Sequence, residues 1–253
     1  GSTAELLAST TGTARDRYQV LPLGYRPRFV GLSPLPAPRA DELLRFAFWG
    51  GVGRHKGVDV LLRALRTLAA ERPGRAELHV LGGIESDAFE QELRALAQGV
   101  PVTFHGPFDA AALHAARPHI GVFPSTCIET YGLVLDECFE LGLPCITSDL
   151  GALPERAGGA ALVARAGDAD ALAAAMRRFV DEPSLWATLR ERRPPPSPTL
   201  EQHVEALLEV YRRARSAPPP SLSAAVPQAR RLAFLMRQRE SAMSKLIPPG
   251  GPR

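Results

Sequence analysis

From residue 18 to 180, short apolar runs alternate with longer segments in which apolar residues recur every three or four positions. Unbroken or alternating apolar runs of about four to eight residues read as strands, and a period near 3.6 reads as amphipathic helix. The pattern predicts strands at Gln19–Leu23, Arg45–Trp49, Glu77–Leu81, Val102–His105, His119–Phe123, Pro144–Thr147 and Ala160–Val163. Helices are expected at Val58–Glu71, Asp87–Gln98, Ala110–Ala116, Leu133–Leu141, Ala169–Asp181, Ser184–Arg193 and Leu200–Ala214. The first is the clearest, because Val58, Leu61, Leu62, Leu65, Leu68 and Ala69 form one stripe. Strand and helix in alternation build βαβ units, so the expected fold class is α/β, a Rossmann-like parallel sheet flanked by helices.

Beyond Arg193 the run PPPSP breaks the pattern, and after the Leu200 helix SAPPPSLSAAVP reads as a linker. Gln228–Ile247 is expected to form a last helix, with Leu232, Leu235, Met236, Ala242, Met243 and Leu246 on one stripe. Arg230, Arg231, Arg237, Arg239 and Lys245 fall largely elsewhere on it. A helix of this kind packs on its own protein or on an anionic membrane, so peripheral membrane association enters as an expectation. The domain plan is Gly1-Ser2 as a cloning scar, 3–216 as one Rossmann-like domain, and 217–253 as linker plus helix. Residues 3–40 are expected to give one strand and some loop.

The chain of 253 residues is 45% hydrophobic, enough for a sizeable core. Its formal net charge of +3 is too small to indicate a nucleic-acid partner. No stretch is long and apolar enough to cross a bilayer and no signal sequence opens the chain, so a cytoplasmic location is the default expectation. Cys127, Cys138 and Cys145 lack zinc-ligand spacing and read as buried reduced thiols.

In an open parallel sheet, ligands bind where strand ends lead into helices. Two such junctions carry unusual chemistry. In the first, Gly50-Gly51-Val52-Gly53-Arg54-His55-Lys56-Gly57 follows the strand FAFW. Glycines admit a ligand close to the backbone, and turn amides with Lys56 and Arg54 suit a diphosphate. The run is neither a G-x-G-x-x-G dinucleotide fingerprint nor a Gly-Lys-Ser/Thr loop. A glycine-rich turn with solvated basic residues is the plain alternative.

The second junction reads PSTCIETYGLVLDE. Amides around Gly132, Leu133 and Val134 can meet a phosphate with no side chain at Gly132 in the way. Glu137 can accept two hydrogen bonds from vicinal hydroxyls such as those of a ribose, and Glu129 can reach another sugar ring. Carboxylates beside a phosphate repel it unless they face hydroxyls, which points to a sugar–phosphate ligand. The bland reading is two solvated or helix-favouring acids.

These segments, with VDVLLRAL, LGLPCITSD, LGALPERAG and GDADALAAAMRRFVDEP in the same order, resemble the nucleotide-sugar-binding C-terminal half of a family 4 retaining glycosyltransferase of GT-B fold. The resemblance covers roughly residues 3–215, and the pair Glu129 and Glu137 is its most specific part. It implies a nucleoside diphosphate sugar donor, an unknown acceptor, no cofactor and no metal, and a missing N-terminal domain that would hold the acceptor. It implies that Lys56 binds the diphosphate, Glu129 the donor sugar and Glu137 the ribose. It assigns phosphate and sugar contacts to the backbone at Tyr131, Gly132 and Leu133. It also sets His105 near the base, beside the plain alternative that a lone histidine at a strand end is structural. Lys56 and Glu129 would be the catalytic residues, and Gly51, Arg54 and His105 complete the donor-binding set. Gly51 stands where many members carry arginine, with Arg54 a candidate substitute, and Tyr131 replaces the usual phenylalanine.

Other constellations read as structure. Asp168-Ala-Asp170 imitates a metal-binding DxD, but its place before an alanine-rich helix makes Asp168 an N-cap. Two further readings stay open: a binding module inactive without its other half, and a nucleotide-dependent regulatory or oxidoreductase domain using the glycine loop alone.

Overall fold

In the computed structural model, residues 2–39 and 41–216 are described. The expected linker and basic helix at 217–253 lie outside them. Two compact units are present: Pro22–Gln202, which holds the sheet, and Thr3–Leu21 with the described residues from His203 onward.

The chain opens with α1 (Ser2–Thr11). The strand expected at Gln19–Leu23 is absent; this stretch pairs with no strand and leaves Val20 and Leu23 exposed. Proline at 22 removes a ladder donor there, which weighs against pairing. The helix α1 was likewise not expected, although Ala4, Glu5, Leu6, Leu7 and Ala8 are strong helix formers.

The core elements follow in order: β1 (Leu44–Trp49), α2 (Val58–Glu71), β2 (Ala76–Leu81), α3 (Asp87–Leu96), β3 (Val102–Gly106), α4 (Ala110–Ala115) and β4 (Ile120–Phe123). Then come α5 (Val134–Glu140), β5 (Cys145–Ser148), α6 (Ala152–Ala157), β6 (Ala161–Ala164), α7 (Ala169–Asp181), α8 (Leu185–Glu191) and α9 (Leu200–Ser216). The six strands form one parallel sheet in the order β3-β2-β1-β4-β5-β6. This is the Rossmann-like α/β fold that the alternation predicts. Helix α6 was not among the helices expected from the sequence.

Both faces of the central strands are covered, which explains the unbroken apolar runs. On one face Phe46, Phe48, Leu78 and Val80 meet the buried stripe of α2 and residues of α7. Each leucine of that stripe is fully buried and contributes about 2 kcal/mol of transfer free energy. The opposite face packs Ala47, Trp49, Leu81 and Phe123 against α5 and α6, with Phe29 and Leu35 from the segment before β1. Asp168 caps α7, accepting from the amide of Ala171 at 2.9 Å. His119 is buried just before β4, where its carbonyl accepts from the Trp186 indole at 2.7 Å.

The strand order reverses direction between β1 and β4, the kind of place where open α/β sheets take ligands. There β1 pairs with β2 along Leu44–Trp49 but with β4 only at Phe46↔Ile120 and Ala47↔Gly121. Beyond Ala47 the two strands part.

Candidate functional site

The loops after β1 and β4 rise on either side of this parting and are tied together. Gly57 adopts φ +72°, and a Cβ there would stand 2.2 Å from the carbonyl oxygen of Pro124. Only glycine fits so close a crossing. Next to it, the Thr126 amide donates to the His55 carbonyl at 2.8 Å. On its other side the first loop is held by the Val52 amide on the Gly83 carbonyl at 2.9 Å.

Between the loops lies a cavity of about 310 Å³. Phe48, Trp49 and Phe123 are among its lining residues, the last two with rings edge to face at 4.8 Å between centroids. Gly50, Gly51, Lys56, Ser125 and Glu129 stand on its wall, together with Tyr131, Gly132 and Leu133. Most of the residues predicted from sequence thus converge on one cavity.

Lys56 and Glu129 meet there. The ammonium lies 2.5 Å from Glu129 Oε1, which also accepts from the Ser125 hydroxyl at 2.8 Å. Burial pushes the Glu129 carboxyl up, but the Lys56 and Ser125 hydrogen bonds and the Lys56 charge outweigh it. The net pKa lies below the ordinary value. The pair is a polarised clamp, with a cation able to meet an anionic oxygen and an acceptor able to meet a hydroxyl.

The turn before α5 is fixed from below by Arg156 on α6. Its guanidinium donates to the carbonyls of Tyr131 at 3.2 Å and Gly132 at 2.9 Å, while binding the buried carboxylate of Asp136 at 2.9 Å and 3.0 Å. It also lies 3.6 Å from the centroid of the Tyr131 ring. In a planar trans peptide the N–H points opposite the C=O. Drawing both carbonyls to Arg156 therefore turns the Gly132 and Leu133 amides away from it. Gly132 itself has φ +80°, and a Cβ on it would meet Leu153 at 2.5 Å.

Glu137 is 9% exposed and is held from two sides. The Trp49 indole donates to its Oε2 at 2.7 Å and the Arg28 guanidinium to its Oε1 at 2.6 Å. Glu137 is not among the residues that line the cavity, but its indole partner Trp49 is.

Two predicted residues are placed elsewhere. Arg54 turns to α3, where it makes a two-pronged pair with Glu92 at 2.7 Å and 2.6 Å and covers the Phe89 ring at 4.5 Å. His105 stacks on His79 at the outer end of the sheet, with Nε2 2.8 Å from His79 Nδ1. Burial, then the neighbouring His79, holds its pKa below the ordinary value. At Gly51 nothing lies within 4 Å of where a Cβ would be. Sequence reasoning missed Arg28, Ser125 and Arg156, and took Trp49 as mere strand. The one available signal was Trp49, an aromatic N–H donor placed where the glycine loop begins.

The family described as Glycosyl transferases group 1 matches residues 44–182, more than half of the chain, and the chain belongs to that family. Among solved structures it resembles sucrose-phosphate synthase from Thermosynechococcus elongatus, at 26% identity and TM-score 0.62, over 86% of this chain and 58% of that one. It also resembles HepE of Anabaena in complex with UDP and glucose, at 16% identity and TM-score 0.57, over 69% of this chain and 49% of that one. A third is the lipopolysaccharide outer core galactosyltransferase WaaB, at 19% identity and TM-score 0.60, over 81% of this chain and 59% of that one. The chain therefore spans about half to three fifths of the length of these structures. The comparison with curated proteins finds no match.

Proposed function

We propose that this chain is the donor-binding half of a retaining, family 4 type glycosyltransferase that uses a nucleoside diphosphate sugar. The observation that carries this reading is the Lys56–Glu129–Ser125 cluster beside the turn amides, set over the parting of β1 and β4. A diphosphate would lie on Lys56 and the amides of Gly132 and Leu133, and its arrival would free Glu129 to accept from hydroxyls of the transferred sugar. As the bond from the anomeric carbon to the diphosphate breaks and the acceptor hydroxyl oxygen takes its place, negative charge grows on the leaving group, whose oxygen can take up the acceptor's proton. Fixed donors at that position lower the barrier. Glu129 acts as a positioning acid in this scheme, and Glu137 receives the ribose. The reading assigns no metal or cofactor to the reaction. HepE, which shares the fold, was solved with UDP, UDP–glucose and UDP plus glucose, in keeping with such a donor.

A second reading, favoured by the share of each related structure covered, is a module that binds donor and turns over only beside a half that supplies the acceptor. A cytoplasmic location and peripheral membrane association remain part of the proposal; no helix among the described residues is long and apolar enough to cross a membrane.

Calorimetric titration with UDP, GDP, ADP and their sugars tests the donor site that both readings share, and a donor hydrolysis or transfer assay separates the two. Wild type is expected to bind a sugar nucleotide more tightly than the bare diphosphate, and Glu129→Gln to lose that difference, roughly tenfold for a charged acceptor contact. A Glu129→Gln protein that keeps the full difference would remove Glu129 from the sugar site. Binding of a dinucleotide with none of the sugar nucleotides would favour the oxidoreductase alternative.

A further inference from the structure

We infer that Arg28 is a positioning residue for the nucleoside, setting the Glu137 carboxylate so that the site selects a ribonucleotide over a deoxyribonucleotide. The inference rests on the donor-binding reading above. Its ground is the way the segment Tyr25–Phe29 is fastened along α5. Glu140, one turn beyond Glu137, accepts from the Tyr25 hydroxyl at 2.6 Å, the Arg28 amide at 2.9 Å and the Phe29 amide at 2.9 Å. Three bonds to one carboxylate fix the backbone at residue 28. The Arg28 side chain then runs back along the helix to Glu137 Oε1 at 2.6 Å, with its guanidinium 5.2 Å from the centroid of the Phe108 ring.

Glu137 thus receives one donor on each oxygen, the Trp49 indole on Oε2 and Arg28 on Oε1. A carboxylate offers about four lone-pair directions, so one remains on each oxygen. Two parallel acceptors in a plane that cannot rotate match a vicinal diol, the one feature that separates ribose from deoxyribose. Trp49 is packed in the core and cannot adjust; Arg28, with a side chain 39% exposed, is the donor at the solvent end. Without it, Oε1 is released and the carboxylate turns about the single remaining indole bond. Arg28 does not touch the reacting atoms in this arrangement, and it acts through Glu137.

The test titrates the 253-residue chain with whichever of UDP, GDP and ADP it binds, with that nucleotide's 2′-deoxy form, and with the parent nucleoside. Wild type is expected to favour the ribonucleotide on the order of tenfold, about one good hydrogen bond to a charged acceptor. Arg28→Met should bring ribo and deoxyribo forms to equal affinity while leaving the ratio between diphosphate and nucleoside unchanged, and Arg28→Lys should restore part of the preference. A purely structural role would lower all ligands together. Should Arg28→Met not fold, Arg28→Gln carries the same comparison. Full ribose preference in the Arg28 variant, alongside its loss in Glu137→Ala, overturns the inference and leaves the donor-binding reading intact. Absence of any ribose preference in wild type overturns the assignment of Glu137 to ribose, and this inference with it.

Discussion

Gly57→Ala is expected to destabilise the protein by about 3 kcal/mol, lowering Tm by roughly 10 °C, and to cost most of its nucleotide affinity. A left-handed backbone costs a residue with a Cβ about 1–2 kcal/mol. The remainder comes from the new methyl group 2.2 Å from the Pro124 carbonyl oxygen, which forces the two site loops apart. Gly74→Ala separates these terms. Gly74 has φ +70° but nothing within 4 Å of its would-be Cβ, so it should show only the backbone cost. Thermal melts of both variants and a UDP titration decide the matter. Equal melting losses would mean that the crossing at Pro124 does not brace the site.

Lys56→Ala should weaken nucleoside diphosphate binding by about 100-fold, the effect of losing a charge-assisted contact in a partly buried site. It has a second consequence. Glu129 then keeps its burial but loses its cation, so its carboxyl rises from its present lowered value. The variant should therefore recover some affinity as pH falls toward the carboxylate range, when protonation removes an acid facing the phosphate. Arg54→Ala is the contrast, since Glu92 and Phe89 hold that guanidinium outside the cavity wall. Calorimetry should find it within about twofold of wild type, as for a surface pair. Equal losses at 56 and 54 would contradict the geometry described for the first loop.

These two residues also show where sequence reading succeeds and where it stops. Period alone placed α2 and α7 at their observed ends, because a buried stripe on a helix writes itself into spacing. Glycine placement and the pair at 129 and 137 located the two loops. Spacing carries no information on where a long side chain turns, so Arg54 and Lys56 looked alike although one faces α3 and the other the cavity. The partners of Glu137 lie 109 and 88 residues away in sequence, beyond any local pattern. Gln19–Leu23 failed for a different reason: Val20, Leu21 and Leu23 suit a strand, but Pro22 among them lacks a ladder donor, and the stretch pairs with no strand.

The early end of pairing between β1 and β4 has an electrical consequence. Where the strands stop pairing after Ala47 and Gly121, three aromatic residues, Phe48, Trp49 and Phe123, are among those that line the cavity. Apolar rings carry no dipoles that reorient as water does, so a charge beside them is attenuated less than it would be in water. The charge of Lys56, which lines the same cavity, should therefore reach an anion there with less loss than it would in an open groove.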